Sequence, residues 1–305
     1  MAVFDDLGID SRRQILGSLV DGPLSVGEIV EATGLKQPNV SNHLARMRDV
    51  GTVRSSRMGR EVIYSLSTPE VIDAVRRARI RRQPVPIDLP SLVEPYSQAA
   101  LRGDEGACAI IVDRALRANS SLVDICEDLF SASMAHIGQL YQNGAIGIAD
   151  EHAASAVTER MLGRASAAQI IPLATGYRAI VGCAPGNWHA IGPRMVADYL
   201  RTEGWRVMFL GANVPEESFI ASAADFNPHL LMLSTCTQSS EAALSVIKAL
   251  HESSPDLPIA IGGSGASKSL DEFRRLNVAL VTTSLRETAT WIQQSLADGY
   301  FDPVA

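Results

Sequence analysis

The chain has 305 residues, room for two or three domains at the usual ~100–200 residues each. Hydrophobic residues make up 46% and charged residues 20%, which excludes wholesale disorder. The net charge of −7 is unevenly spread: residues 1–83 hold 13 Lys and Arg against 10 Asp and Glu, and residues 36–82 hold 11 against 4. A basic segment in an acidic chain points to a local polyanion contact, although a solvated charged helix fits the charge equally well.

No apolar run reaches the ~18–20 residues that a bilayer span needs, and Asp5, Asp6 and Asp10 stand where a signal peptide carries basic residues. The expectation is a cytoplasmic protein with no membrane partner. Cys108, Cys126, Cys183 and Cys236 are far apart and form no C-x-x-C pair. They read as buried thiols, not as a disulfide or zinc framework.

Ser25 and Glu28 form a capping box that starts a helix ending at Gly34. Gln37-Pro38 then opens a second helix, in which Val40, Leu44 and Met47 recur at 3- and 4-residue spacing and predict a core face. The opposite face carries Gln37, Asn39, Asn42, His43 and Arg46. Amide and guanidinium groups are the types that read adenine and guanine edges in the major groove. The run VRSSRMGREVIYSL predicts a β-hairpin turning near Met58-Gly59, with Arg54, Arg57 and Arg60 placed to touch phosphates as a wing does. Residues 1–83 therefore read as a winged helix-turn-helix domain that binds double-stranded DNA, the alternative being a small helical domain whose polar face is simply solvated.

Pro84, Pro86 and Pro90 make residues 84–91 a stiff linker. Residues 92–175 are helical in pattern throughout and predict a four-helix bundle. From residue 176 to 305 the runs RAIVGCA, WRVMFLGA, LLMLST, PIAIGG and VALVTT alternate with amphipathic stretches. That alternation predicts a five-stranded parallel Rossmann-like sheet, so the fold class is multidomain α/β. His189 and Asn187 fall in the loop after the first of these strands, where open parallel sheets bind ligands. No G-x-G-x-x-G follows the strand, which argues against a dinucleotide. No nucleophile–base constellation is evident, so a non-enzyme is expected.

These segments resemble known families. Residues 5–80 resemble ArsR-type winged helix repressors, which implies a dimer on a palindromic operator. The run SVGEIVEATG lacks the cysteine pair of that family's metal sensors. The loop NWHAIG looks like the D-x-H-x-x-G loop of cobalamin-binding domains, followed in order by LGANVP, LST and IGG. The resemblance implies His189 as the lower axial cobalt ligand, with Ser234, Gly262 and Gly263 lining the slot for the nucleotide tail. Gly192 is then the point of close approach. Asn187 stands where the family has a carboxylate; an amide brings no negative charge and predicts a weaker cobalt–histidine bond.

Tyr141 followed after nine residues by Glu151-His152 resembles the W-x9-EH signature of CarH-type photoreceptors, transcription factors that use adenosylcobalamin. The helical segment would then be a cap over the cofactor's upper face. Two departures stand out: Tyr141 replaces tryptophan, and Gln142 occupies the place of that family's light-state histidine ligand. The reading implied is a cobalamin-dependent regulator, a homo-oligomer (dimer or tetramer) driven by light or by ligand form. The alternative is a corrinoid carrier for methyl transfer.

Overall fold

The computed structural model describes residues 6, 8–20, 22–58, 61–77, 87–169 and 172–301. The chain divides into two compact units, residues 1–88 with 109–120, and residues 89–108 with 121–305. Residues 84–86 of the proposed linker, the hairpin tip at Gly59 and Arg60 lie outside the described residues. Among the described residues no helix is long and apolar enough to cross a membrane.

In the first unit, α1 (Asp10–Ser18) precedes a short strand β1 (Leu24–Ser25), α2 (Val26–Thr33) and α3 (Gln37–Asp49). The capping box forms as expected: Ser25 N–H donates to Glu28 Oε2 at 2.8 Å, and Glu28 N–H donates to Ser25 Oγ at 3.3 Å. Gly34 ends α2 in the left-handed region at φ 68°, which a residue without Cβ adopts freely. Val40, Leu44 and Met47 are all fully buried, in one core with Ile15, Leu16 and Ile29. Strands β2 (Val53–Met58) and β3 (Glu61–Leu66) pair antiparallel as the wing, β1 adds to the far side of β3, and α4 (Pro69–Arg77) follows.

The second unit holds α5 (Val93–Leu101) and the first turn of α6 (Glu105–Arg117). Next comes α7 (Leu122–Asp124), which continues through a π-helical stretch, Ile125–Ser131, into α8 (Ala132–Gln142). The last helix of this group is α9 (Ile148–Ala167). Their shared core contains Tyr96, whose ring lies 5.5 Å from that of Phe130 and whose hydroxyl donates to Thr158 Oγ1 at 3.2 Å.

The expected five parallel strands follow: β4 (Arg178–Cys183), β5 (Arg206–Gly211), β6 (Leu230–Ser234), β7 (Ile259–Gly262) and β8 (Leu280–Val281). They are ordered β5-β4-β6-β7-β8. The helices between and after them are α10 (Ile191–Thr202), α11 (Glu216–Phe226), α12 (Ser240–Ser253), α13 (Leu270–Arg275) and α14 (Leu285–Ala297). Every residue of β6 is buried, as a central parallel strand covered on both faces must be. Strand order reverses between β4 and β6, and the crevice outside the carboxyl ends at such a reversal is where this architecture takes ligands.

Candidate functional site

The crevice is built from the loop that leaves β4. Ala184 N–H donates to Ser234 O, carrying the β4–β6 pairing one residue past the strand. Asn213 then fastens the loop from the β5 side: its N–H donates to Asn187 O, and its Oδ1 accepts from Gly186 N–H, both at 2.8 Å. To serve both, Asn213 takes the left-handed conformation at φ 50°, which asparagine tolerates better than most residues.

Asn187 is 1% exposed and every polar atom of its side chain is engaged. Its Nδ2 donates to Ser234 O at 3.0 Å and to Ser234 Oγ at 3.3 Å, which fixes which end of the amide is oxygen. That oxygen accepts from His189 N–H and lies 3.1 Å from His189 Nδ1. An amide oxygen only accepts, so Nδ1 carries a proton, and in the neutral ring Nε2 is the nitrogen with the lone pair. His189 is exposed, and the intervening Trp188 is 71% exposed. A pinned loop thus presents one imidazole nitrogen beside a bare indole. Cys183 Sγ approaches His189 O at 3.7 Å, but burial pushes this thiol up to about 12, so it is no nucleophile near neutral pH. All four cysteines are buried free thiols.

Next to this loop a cavity of about 150 Å³ opens between the sheet edge, α10 and the start of α14. Gly192, Ser234, Gly262 and Gly263 all line it. The glycines differ in why they are glycine. A Cβ on Gly263, at φ 91°, would stand 2.3 Å from Thr235 O, so the chain itself forbids a side chain. A Cβ on Gly192 would meet nothing within 4 Å, so there only the space in front of the helix is being kept open. Glu127 and Ser131, from the π-helical stretch, and Ser284 and Leu285 also form the wall. Neither Asn213 nor Glu127 was assigned from sequence. An asparagine in a loop after a strand was the available signal for the first; the second carries none.

The remaining candidates of this unit lie on the helices. Tyr141, 44% exposed, and Gln142 end α8, while Glu151 and the exposed His152 stand in the first turns of α9. His152 Nε2 is 3.6 Å from Glu151 Oε2, and Ser155 Oγ donates to Glu151 Oε1. Among the described residues no hydrogen bond joins these four to the His189 loop. His136 pairs instead with Glu94 at 3.1 Å.

On α3, Gln37, Asn39, Asn42 and Arg46 are exposed as expected, and Arg54 and Arg57 are exposed on β2. His43 departs from that reading. It is half-buried, with Nδ1 inaccessible and without a hydrogen-bond partner among the described residues. Position 43 lies three residues after Val40 and four before Met47, so it borders the buried stripe instead of opposing it. Burial, then Arg12 and Arg46, lower its pKa, against Asp6, which raises it. Asp6 is itself buried, paired with Arg12 and accepting from Thr52 Oγ1.

Residues 177–290 match a family model described as a B12 binding domain, and residues 92–165 match a second B12 binding domain model. Residues 10–55 match the bacterial regulatory proteins of the arsR family. The HTH-type transcriptional repressor CarA of Myxococcus xanthus is 27% identical over 234 residues, covering 75% of this chain and 76% of its own. The HTH-type transcriptional repressor CarH of the same organism is 27% identical over 154 residues, 50% of this chain and 51% of its own. In fold, the second unit is like the Methanosarcina barkeri monomethylamine corrinoid protein. That likeness has a TM-score of 0.56 at 17% identity, over 68% of this chain and 100% of that one.

Proposed function

From a chain that joins an arsR-family helix-turn-helix to B12-binding domains, we propose a cobalamin-responsive transcriptional repressor. The observation that carries it is the pairing of His189 Nδ1 with a buried, doubly anchored Asn187 beside a cavity lined by Gly192, Ser234, Gly262 and Gly263. Those residues fit a corrinoid: with Nδ1 tied to Asn187, Nε2 is the ring nitrogen left to coordinate a metal, and the open space before Gly192 leaves room for a nucleotide tail.

A bound corrinoid would supply a cobalt centre whose exchangeable ligand differs between cobalamin forms. His189 would hold the cobalt, and the cavity lined by Gly192, Ser234, Gly262 and Gly263 would take the tail. Tyr141, Gln142, Glu151 and His152 are the cap residues assigned to the upper face. Gln37, Asn39, Asn42 and Arg46 read base edges, and Arg54 and Arg57 hold phosphates. A cofactor controls DNA binding only by favouring one arrangement of the readers over another, so the cap must distinguish upper ligands. Adenosylcobalamin is the favoured form, with a homo-oligomer as the responding assembly and the cytoplasm as the setting.

A corrinoid carrier for methyl transfer is the second reading, favoured by the fold likeness of the second unit. It leaves the exposed amide face of α3 without a role. Operator binding by the apo, adenosylcobalamin and hydroxocobalamin forms, in darkness and in light, separates the readings. Affinity that depends on the form and is lost as a response in His189→Ala supports the repressor. Equal affinity in every state overturns it, and a response to form but not to light removes the photoreceptor branch.

A further inference from the structure

The stretch that closes the cavity from the helical side carries a polar stripe. Asp124, Glu127, Asp128 and Ser131 recur at spacings of three and four, opposite the buried Ile125, Cys126, Leu129 and Phe130. Every member of the stripe touches the nucleotide-fold part of the same unit. Glu127 Oε2 accepts from Leu285 N–H at 2.9 Å and from Arg286 N–H at 3.3 Å, two of the unpaired donors that open α14. The Arg286 guanidinium donates to Asp124 Oδ1 at 3.1 Å and to Asp128 Oδ2 at 2.9 Å. Ser131 Oγ lies 3.6 Å from Met195 Sδ. The stretch is π-helical, a form that occurs mostly as single turns and often at functional sites.

Glu127 is also a wall of the cavity, together with Ser284 and Leu285, and its carboxylate holds the Leu285 amide. We infer that Glu127 is a positioning residue for the nucleotide tail: it fixes residues 285 and 286 so that the slot has its far wall. Filling the slot and seating this helical stretch are then one equilibrium. The inference rests on the cobalamin reading above, and it adds that the cofactor's lower tail, not only its upper ligand, is sensed by the helical part.

A corrinoid without the nucleotide tail separates the two claims. The full-length protein, its Glu127→Ala variant and its Glu127→Gln variant are titrated with adenosylcobalamin and with adenosylcobinamide, following the visible spectrum. Losing a carboxylate that holds two backbone donors lowers adenosylcobalamin affinity about tenfold in Glu127→Ala. Adenosylcobinamide affinity is expected to stay within about twofold, because it lacks the tail to which this wall is assigned. Glu127→Gln recovers most of the loss, since its amide oxygen still accepts from both amides. In the unaltered protein, adenosylcobalamin slows amide exchange at Leu285 and Arg286 and adenosylcobinamide does not. An equal loss for both corrinoids, or no loss for either, overturns the inference while the cobalamin reading stands. Failure of the unaltered protein to bind either one overturns both.

Discussion

Asn187 and His189 are joined through a single oxygen: Asn187 Oδ1 receives the His189 backbone N–H and faces the ring Nδ1, each at 3.1 Å. The other end of the amide is tied to Ser234 on the neighbouring strand, so the ring is oriented by the sheet itself. Outer partners of a metal-binding histidine typically contribute about 10–100-fold in metal affinity. Asn187→Ala is therefore expected to weaken cobalamin binding by about that factor, and Asn187→Asp, which adds a negative charge beside the ring, to tighten it. Spectral titration of the histidine-ligated form measures both.

The two kinds of glycine in the cavity wall give opposite outcomes. Gly192→Ala keeps or raises the melting temperature of the free protein, because alanine exceeds glycine by up to about 1 kcal/mol within a helix. It lowers cobalamin affinity, because the new methyl enters the space the tail needs. Gly263→Ala destabilises the free protein by about 2 kcal/mol or more, through its positive φ and the Thr235 carbonyl. Thermal melts with and without cobalamin separate the two.

On the DNA side, position decides the kind of effect. Arg54→Ala or Arg57→Ala weakens binding to all sequences and reduces the slope of log affinity against log salt by about 1 for each phosphate no longer neutralised. Asn42→Ala relaxes preference at one base pair, at a cost of about 1–3 kcal/mol on the best site. Binding titrations at several salt concentrations, on operator and scrambled duplexes, measure both effects.

His43 gives a pH dependence with a defined sign. Burial and the neighbouring Arg12 and Arg46 hold its folded pKa below the ordinary histidine value, outweighing Asp6. The unfolded chain therefore binds the proton more readily than the folded one. Its contribution is fully present above the unfolded value and is lost as pH falls through the folded value. NMR titration is expected to give a midpoint below the ordinary 6.5, and Arg12→Ala to move it upward.

The sequence alone determined whatever depends on near neighbours in the chain. The Ser25–Glu28 capping box, the Val40–Leu44–Met47 stripe and the Asn187–His189 pair are read directly, because helix period and loop length fix such distances. The five strands were legible because β-rich runs alternate with helical ones, and their alternation implied a ligand site after β4. Only the tertiary structure decided which groups meet across the chain. Leu285 N–H and Glu127 are 158 residues apart in sequence, and nothing local to either announces the bond. Asn213 took its role from the strand order that sets β5 beside β4. Backbone periodicity is a local property, whereas a carboxylate's partner is set by how the elements pack, and one sequence read alone does not carry that.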